Sequence, residues 1–161
     1  MDLIAPTTLN QQHKLEDFCC GTASLDNWLK HKAWRNELAL ASRTYVLATK
    51  DKRVIGYYAL ATAAIASKEA PRKIKRNMPI PIPAMVLGRL AIDQRFQGEK
   101  FGDALLKDAI LRVLQVAEIA GVKAIIVHAI SEKAKKFYLD RSFIISPINP
   151  MTLMLPLDSL I

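Results

Sequence analysis

The chain has 161 residues, of which 51% are hydrophobic and 24% charged, a size and composition that suit one folded domain. Its 23 lysines and arginines outnumber its 15 aspartates and glutamates, giving a formal net charge of +8. No apolar run approaches the roughly 20 residues of a membrane-spanning helix, and the N-terminus does not resemble a signal peptide. Composition therefore predicts a single domain over 1–161 that works in the cytoplasm, away from membranes, and favours polyanionic partners.

The cysteines and histidines argue against a metal centre. Cys19 and Cys20 are adjacent, so they neither match the separated pairs of a zinc site nor favour a disulfide with each other. His128 lies in an apolar segment typical of a buried strand, which favours a core histidine over a catalytic base. We therefore expect no bound metal and two reduced thiols.

The first half of the chain predicts one helix and a β-hairpin. Apolar residues recur at helical spacing from Leu25, directly behind Ser24, which is a favoured N-cap residue. Segments 44–49 and 54–61 are rich in β-branched, aromatic and apolar residues and are joined by a short polar linker, so they should pair antiparallel. Segment 67–83 is basic and broken by alternating prolines, which predicts extended backbone rather than a helix.

The second half alternates strands and helices. Its predicted elements are a strand at 84–93, a helix at 102–120, a strand at 124–129, a helix at 132–139 and strands at 143–146 and 152–157. Gly121 is a natural stop for the long helix. A strand–helix–strand crossover inside an otherwise antiparallel set predicts a mixed α/β fold.

The turn between Asp93 and the long helix contains two glycines, Gly98 and Gly102. A glycine-bearing turn that leads into a helix N-terminus is suited to anions, because the first amide N–H groups of a helix lack partners and its dipole favours negative charge. The glycine spacing matches neither a P-loop nor a dinucleotide fingerprint. From spacing alone, an anion site and an ordinary structural turn are equally good interpretations.

Two segments of the second half match known sequence motifs. The run VLGRLAID, followed by QGEKFG, resembles the acetyl-CoA signature of the GNAT-superfamily acetyltransferases, which is Gln or Arg, two residues, Gly, one residue, then Gly or Ala. Gln97 and Gly102 match this signature, whereas Lys100 replaces its inner glycine. The resemblance implies a GNAT fold, with a mixed, mostly antiparallel sheet flanked by helices. It also implies that acetyl-CoA contacts Leu90, Ala91, Ile92, Gln97, Gly98, Glu99, Lys100, Phe101, Gly102, Asp103 and Ser131.

The second segment, 134–143, is similar to the family pattern Ala, two residues, Phe-Tyr, three residues, Gly-Phe. The resemblance implies that Tyr138 is the general acid that protonates the departing thiolate, a role worth about 10²–10⁴-fold in rate. Ser142 stands where the family has glycine. Without the resemblance, Tyr138 would be interpreted as an amphipathic residue that closes a short helix.

Further segments match a narrower group, and they lie at 24–29, 42–46, 56–61, 76–83, 117–121 and 150–155. Together they resemble the GNAT toxins of type II toxin–antitoxin pairs. The resemblance implies that the substrate is the amino group of aminoacyl-tRNA, whose acetylation blocks translation. It also implies a homodimer and a ribbon-helix-helix antitoxin, through which alone operator DNA is bound.

Basic side chains supply candidates for tRNA contact, because phosphate recognition uses mobile or forked cations. These candidates are Lys30, Arg35, Arg43, Arg76 and Arg89. A solvated basic face is the alternative for any single lysine. Two other functions remain open: a small-molecule or protein N-acetyltransferase, and a GNAT binding module whose catalysis is weakened by Lys100.

Overall fold

The computed structural model describes residues 2–160. Its strands are β1 (Leu3–Thr8), β2 (Arg43–Thr49), β3 (Val54–Ile65), β4 (Ile82–Ile92), β5 (Ala124–His128), β6 (Ile144–Ile145) and β7 (Thr152–Pro156). Its helices are α1 (Ala23–His31), α2 (Ala33–Leu38), α3 (Arg72–Lys75), α4 (Phe101–Ala117) and α5 (Glu132–Leu139). Short 3₁₀ helices lie at Ser67–Glu69, Gln94–Phe96 and Leu157–Leu160.

The strands form a seven-stranded sheet in the order β1-β2-β3-β4-β5-β7-β6. β4 and β5 run parallel, and α4 lies between them in the chain, as a crossover requires. The pairs β1–β2, β2–β3, β5–β7 and β6–β7 are antiparallel. The predicted mixed, mostly antiparallel α/β fold is confirmed.

Contacts divide the chain into two compact units, each built from two stretches of sequence. One unit is Met1–Ala61 with Gly88–Ala109, and the other is Thr62–Leu87 with Ile110–Ile161. The core of the first unit contains Phe18, Leu29 and Tyr57, each at most 1% exposed. The core of the second unit contains Ile74, Ile82 and Met154, which are fully buried.

In the first unit the predicted hairpin is present, with Arg43 paired to Leu60 and Ala48 paired to Val54. The predicted first helix is also present and buries Leu25, Trp28 and Leu29. Its start differs from the prediction, because Thr22 rather than Ser24 occupies the N-cap position.

The edge strand β1 is absent from the sequence prediction. Pro6 lies in its middle, and a proline inside a short segment argues against a central strand. An edge strand tolerates it, because only one side of the strand must form ladder hydrogen bonds. The pairing of β1 with β2 shifts register between Ile4 and Thr7, next to this proline.

In the second unit three predictions are wrong. Segment 67–75 contains helical turns, including α3, because burial of Ile74 outweighs the polar character around it. α4 ends at Ala117, before Gly121, whose φ is not left-handed. His128 ends β5 with an exposed side chain, and its Nδ1 lies 3.0 Å from Thr152 Oγ1, so it is not a core histidine.

No helix among residues 2–160 combines the length and apolar character needed to cross a membrane.

Candidate functional site

The loop from β4 into α4 is left-handed at two positions. Gly98 has a φ of 84° and Lys100 a φ of 66°. Lys100 directly precedes α4, and its carbonyl accepts a hydrogen bond from Ala104 N at 3.2 Å. A left-handed residue followed by helical residues turns successive N–H groups into one concavity, a nest that binds anions. Residues 97–100 are exposed, and the 17-residue helix α4 adds its dipole, so this backbone suits a pyrophosphate.

The side chain of Gln97 holds this loop in place. Its Nε2 donates hydrogen bonds to Cys20 O at 2.9 Å and to Ile92 O at 2.8 Å. Because the amide group has two N–H donors, both are used on carbonyls of the protein. The side-chain amide of the signature glutamine therefore stabilises the conformation of the loop by hydrogen bonds.

Asp93 also stabilises this loop, a role that the sequence did not predict. Its carboxylate is 1% exposed and accepts hydrogen bonds from Cys19 N at 3.1 Å and Arg95 N at 2.9 Å. The Arg95 guanidinium also contacts both carboxylate oxygens at 3.0 Å. Burial works to raise the pKa of Asp93, but these donors together hold the pKa below its usual value. An aspartate directly after an apolar strand was the available signal.

The remaining cofactor candidates lie at the end of β4, in the loop and first turn of α4, and just before α5. Leu90, Ala91 and Ile92 form the end of β4, and Ala91 and Ile92 are buried. Gly56 on β3 packs closely there, because a Cβ on it would lie 2.8 Å from Ile92 Cδ1. The other candidates are exposed Glu99, followed by Phe101, Gly102 and Asp103 in the first turn of α4. Ser131 belongs to the second unit, where its Oγ caps α5 by accepting from Ala134 N at 3.1 Å.

Tyr138 lies in the last turn of α5, inside a Schellman motif. Its carbonyl accepts from Phe143 N at 3.2 Å, and Leu139 O accepts from Ser142 N at 3.2 Å. Ser142 has the left-handed φ of 73° that this motif requires. The rings of Tyr138 and Phe143 pack with their centroids 5.1 Å apart, which is the apolar contact typical of the motif. The segment that resembles the family pattern is therefore a helix stop that fixes the tyrosine ring.

The phenol of Tyr138 remains protonated across the physiological pH range. The residue is only 8% exposed, and this burial raises its pKa above the ordinary value. A neutral phenol is a proton donor, so the protonation state is the one that a general acid needs.

Two of the basic candidates are engaged within the protein. Arg89 places its guanidinium carbon 4.4 Å from the ring centroid of Trp28, which is itself stacked on Tyr57. Arg43 forms a 2.8 Å ion pair with Glu37, whose other carboxylate oxygen accepts from Thr44 N. Arg89 and Arg43 therefore help to position α1, α2 and the adjacent strands.

The other three candidates are more open. Lys30 on α1 is half-buried, whereas Arg35 on α2 and Arg76 after α3 are exposed. The first two belong to the first unit with Arg43 and Arg89, and Arg76 belongs to the second. Their roles at a nucleic acid remain predictions.

The thiols are free, as the sequence predicts. Burial, together with a hydrogen bond to Asp26, raises the pKa of Cys20 to about 11, so this thiol is a poor nucleophile. Within residues 2–160, no group of three or more His, Cys, Asp or Glu side chains is arranged to hold a metal.

Known proteins are similar to this chain over nearly its whole length. The family described as "Acetyltransferase (GNAT) domain" matches residues 9–147. A tRNA-acetylating toxin of Mycobacterium tuberculosis is 42% identical over 151 residues, which cover 94% of this chain and 90% of that protein. The structure of AtaT complexed with acetyl-methionyl-tRNAfMet has a TM-score of 0.91 at 29% identity, covering 99% of this chain and 97% of that chain. A mutant AtaT toxin bound to the C-terminus of the antitoxin AtaR and to acetyl-CoA has a TM-score of 0.84 at 28% identity, covering 99% and 96%.

Proposed function

Since the chain belongs to the GNAT acetyltransferases, and therefore uses acetyl-CoA, we propose that it acetylates the amino group of aminoacyl-tRNA and thereby blocks translation. The observation that carries the proposal is its similarity to a tRNA-acetylating toxin along nearly all of its length. The exposed nest before α4, with its left-handed Gly98 and Lys100, supports acetyl-CoA binding from this chain's own geometry.

We assign one group of residues to acetyl-CoA binding and Tyr138 to proton transfer. Acetyl-CoA supplies the acetyl group as a thioester. The backbone at 98–103 binds its pyrophosphate, and residues 90–92 at the end of β4 line its pantetheine arm. Asp93 and Gln97 hold this loop from behind through their hydrogen bonds to the 19–20 segment.

The proposed transfer is a direct attack, without an acyl-enzyme. The neutral amine forms the new N–C bond while the C–S bond breaks, and the electron pair of that bond stays on sulfur. Tyr138 donates its phenolic proton to the sulfur, the amine loses a proton to water, and the tyrosinate then regains a proton from water. Burial of Tyr138 raises its pKa, so the phenol holds the proton that this role requires at the pH of the reaction, although the same shift makes it a weaker acid.

The proposed partners follow from the same family. We expect a ribbon-helix-helix antitoxin that neutralises the enzyme and through which the pair binds operator DNA. We also expect a homodimer and a cytoplasmic location, where aminoacyl-tRNA is found. The complex of a mutant AtaT toxin with the C-terminus of AtaR supports the antitoxin.

Two alternatives share the fold. An N-acetyltransferase for small molecules or proteins would use the same loop and Tyr138 but would leave aminoacyl-tRNA unmodified. Lys100 favours the weakened binding module, because a residue with a Cβ and a left-handed φ stands in place of the signature glycine. The affinity for acetyl-CoA separates the weakened module from both enzymes.

The decisive experiment incubates the purified protein with labelled acetyl-CoA and total aminoacyl-tRNA, and then identifies the acetylated species by mass spectrometry. We expect N-acetyl-aminoacyl-tRNA, and we expect expression without antitoxin to arrest growth. Deacylated tRNA is the matched control, because it lacks the acceptor amine. Growth arrest with every aminoacyl-tRNA unacetylated would show that the substrate is a different one.

A further inference from the structure

The second unit contains a basic pocket of about 720 Å³. It shares no residue with the loop before α4 or with α5. Four cationic side chains and one carboxylate are among its lining residues, so the pocket carries a surplus of positive charge. The lining residues are Arg72, Lys73, Arg76, Asn77, Met78, Lys123 and Asp158.

The negative charge of the one carboxylate in the pocket is already neutralised by an ion pair. Asp158 Oδ2 lies 2.9 Å from Lys123 Nζ, and this hydrogen bond, with further attraction from Lys73, lowers the pKa of Asp158. Arg72 and Arg76 form no ion pair with any carboxylate of residues 2–160, and both are exposed. Their charges repel one another unless an anion enters.

The cations are held on a defined backbone. α3 carries Arg72 and Lys73, and Ile74 next to them is fully buried in the core of the second unit. Arg76 follows at the helix end, and Asn77 adopts a left-handed φ of 58°. This turn presents two guanidinium groups and an ammonium group on one side of an anchored segment, a combination suited to phosphate.

We propose that this pocket binds backbone phosphates of the tRNA substrate. The proposal rests on the proposed function, extends the role of Arg76, and adds Arg72 and Lys73 as phosphate ligands, while Lys123 neutralises Asp158. An acidic peptide is the less suitable occupant, because Met78 is the one apolar lining residue of the pocket. The apolar centre on which peptide interfaces depend lies outside this pocket, in an adjoining pocket that shares Met78, Lys123 and Asp158 with it, whereas a phosphodiester needs only the cations.

The first test compares two double variants of equal charge. Arg72→Gln with Lys73→Gln removes two cations from the pocket, while Lys14→Gln with Lys50→Gln removes two exposed lysines of the first unit. Binding of deacylated total tRNA is measured by fluorescence anisotropy at several KCl concentrations. We expect the pocket variant to bind about tenfold more weakly with a salt slope lower by about 1 to 2, and the control to bind within about twofold of wild type. Acetyl-CoA binding by calorimetry should be equal in all three proteins, which shows that they are folded.

A second variant should gain affinity, which no folding defect can imitate. Asp158→Asn removes the one carboxylate from the pocket and releases Lys123 from its ion pair. We expect tRNA binding to tighten by about threefold at low salt, because one repulsive charge is lost and one cation is freed.

The outcomes separate this inference from the proposed function. Wild-type tRNA binding without acetylation would overturn the proposed function alone. Wild-type affinity and salt slope in the Arg72→Gln, Lys73→Gln variant would overturn the pocket assignment alone. The assignment is also overturned if that variant keeps tRNA binding but loses a purified antitoxin, or if inorganic phosphate does not compete with tRNA.

Discussion

Two turns of the molecule, one in each unit, place a side chain where the family motifs have glycine. Lys100 lies before α4 with a φ of 66°, and Ser142 lies after α5 with a φ of 73°. The first turn opens a helix N-terminus toward solvent, and the second closes a helix C-terminus over Tyr138. The same left-handed conformation therefore forms a turn proposed to bind an anion in one place and a turn that positions a side chain in the other.

The free-energy cost of having a residue with a Cβ is similar at both turns, but the strain affects different parts of the proposed mechanism. A non-glycine residue in the left-handed region costs about 1–2 kcal/mol relative to its favoured conformations. Replacing such a residue by glycine removes this strain. Part of the stabilisation, about 0.5–1 kcal/mol, is lost again because glycine loses more conformational freedom on folding. At Lys100 the strain falls on a loop proposed to bind acetyl-CoA, whereas at Ser142 it falls on a hydrogen-bonded helix stop.

The largest expected effect belongs to the residue that the second turn positions. Tyr138→Phe deletes the proton donor and keeps the ring that packs against Phe137 and Phe143. We expect turnover to fall by about 10²-fold or more, with acetyl-CoA affinity nearly unchanged. Stopped-flow kinetics and calorimetry measure the two quantities. Wild-type turnover in this variant would remove Tyr138 from the mechanism.

The pH profile of the wild type provides a second readout for the same residue. A general acid works in its protonated form, and burial raises the pKa of Tyr138 above the ordinary tyrosine value of about 10. Turnover should therefore show no loss from tyrosine ionisation below about pH 10. A descending limb at neutral pH that disappears in Tyr138→Phe would contradict this expectation.

At the first turn, replacing Lys100 by glycine should change the affinity for acetyl-CoA. We expect Lys100→Gly to tighten acetyl-CoA binding by about fivefold, because glycine, without a Cβ, lets the main chain approach the pyrophosphate more closely. A lysine ammonium near the pyrophosphate would oppose this change by supplying a charge-assisted contact. We expect backbone geometry to dominate, since a flexible side chain does not restore a close approach of the main chain.

Lys100→Ala separates these two contributions. It removes the ammonium but keeps the Cβ, so it should bind acetyl-CoA no more tightly than wild type. If both variants bind more weakly than wild type in calorimetry, the lysine is a working ligand and the expected order of the two effects is reversed.

The comparison also indicates what a sequence can reveal. The bounds of α5 are those predicted, because its apolar spacing, its Ser131 cap and its stop are all local signals. The β2–β3 hairpin was predictable for the same reason. β1 was missed because Pro6 is acceptable only at a sheet edge, and edge position is a property of the whole sheet.

Contacts between distant residues were the part that the sequence could not provide. The stacking of Arg89 on Trp28 and the fastening of the 19–20 segment by Asp93 join residues far apart in the chain. His128 was misjudged because a strand in an apolar run can still end at the surface. The basic pocket likewise depends on Lys123 meeting α3, which no local pattern indicates.

The smallest expected effect lies at the second turn. Ser142 is exposed and donates its backbone N–H to Leu139 O, a bond that glycine keeps. Ser142→Gly should therefore raise the free energy of unfolding by up to about 1 kcal/mol, with acetyl-CoA affinity unchanged. Ser142→Ala is the matched control, because it keeps the Cβ in the left-handed region and should not stabilise the protein. Urea unfolding measures both variants. If Ser142→Gly instead changes acetyl-CoA affinity as much as Lys100→Gly does, the division between a binding turn and a positioning turn is wrong.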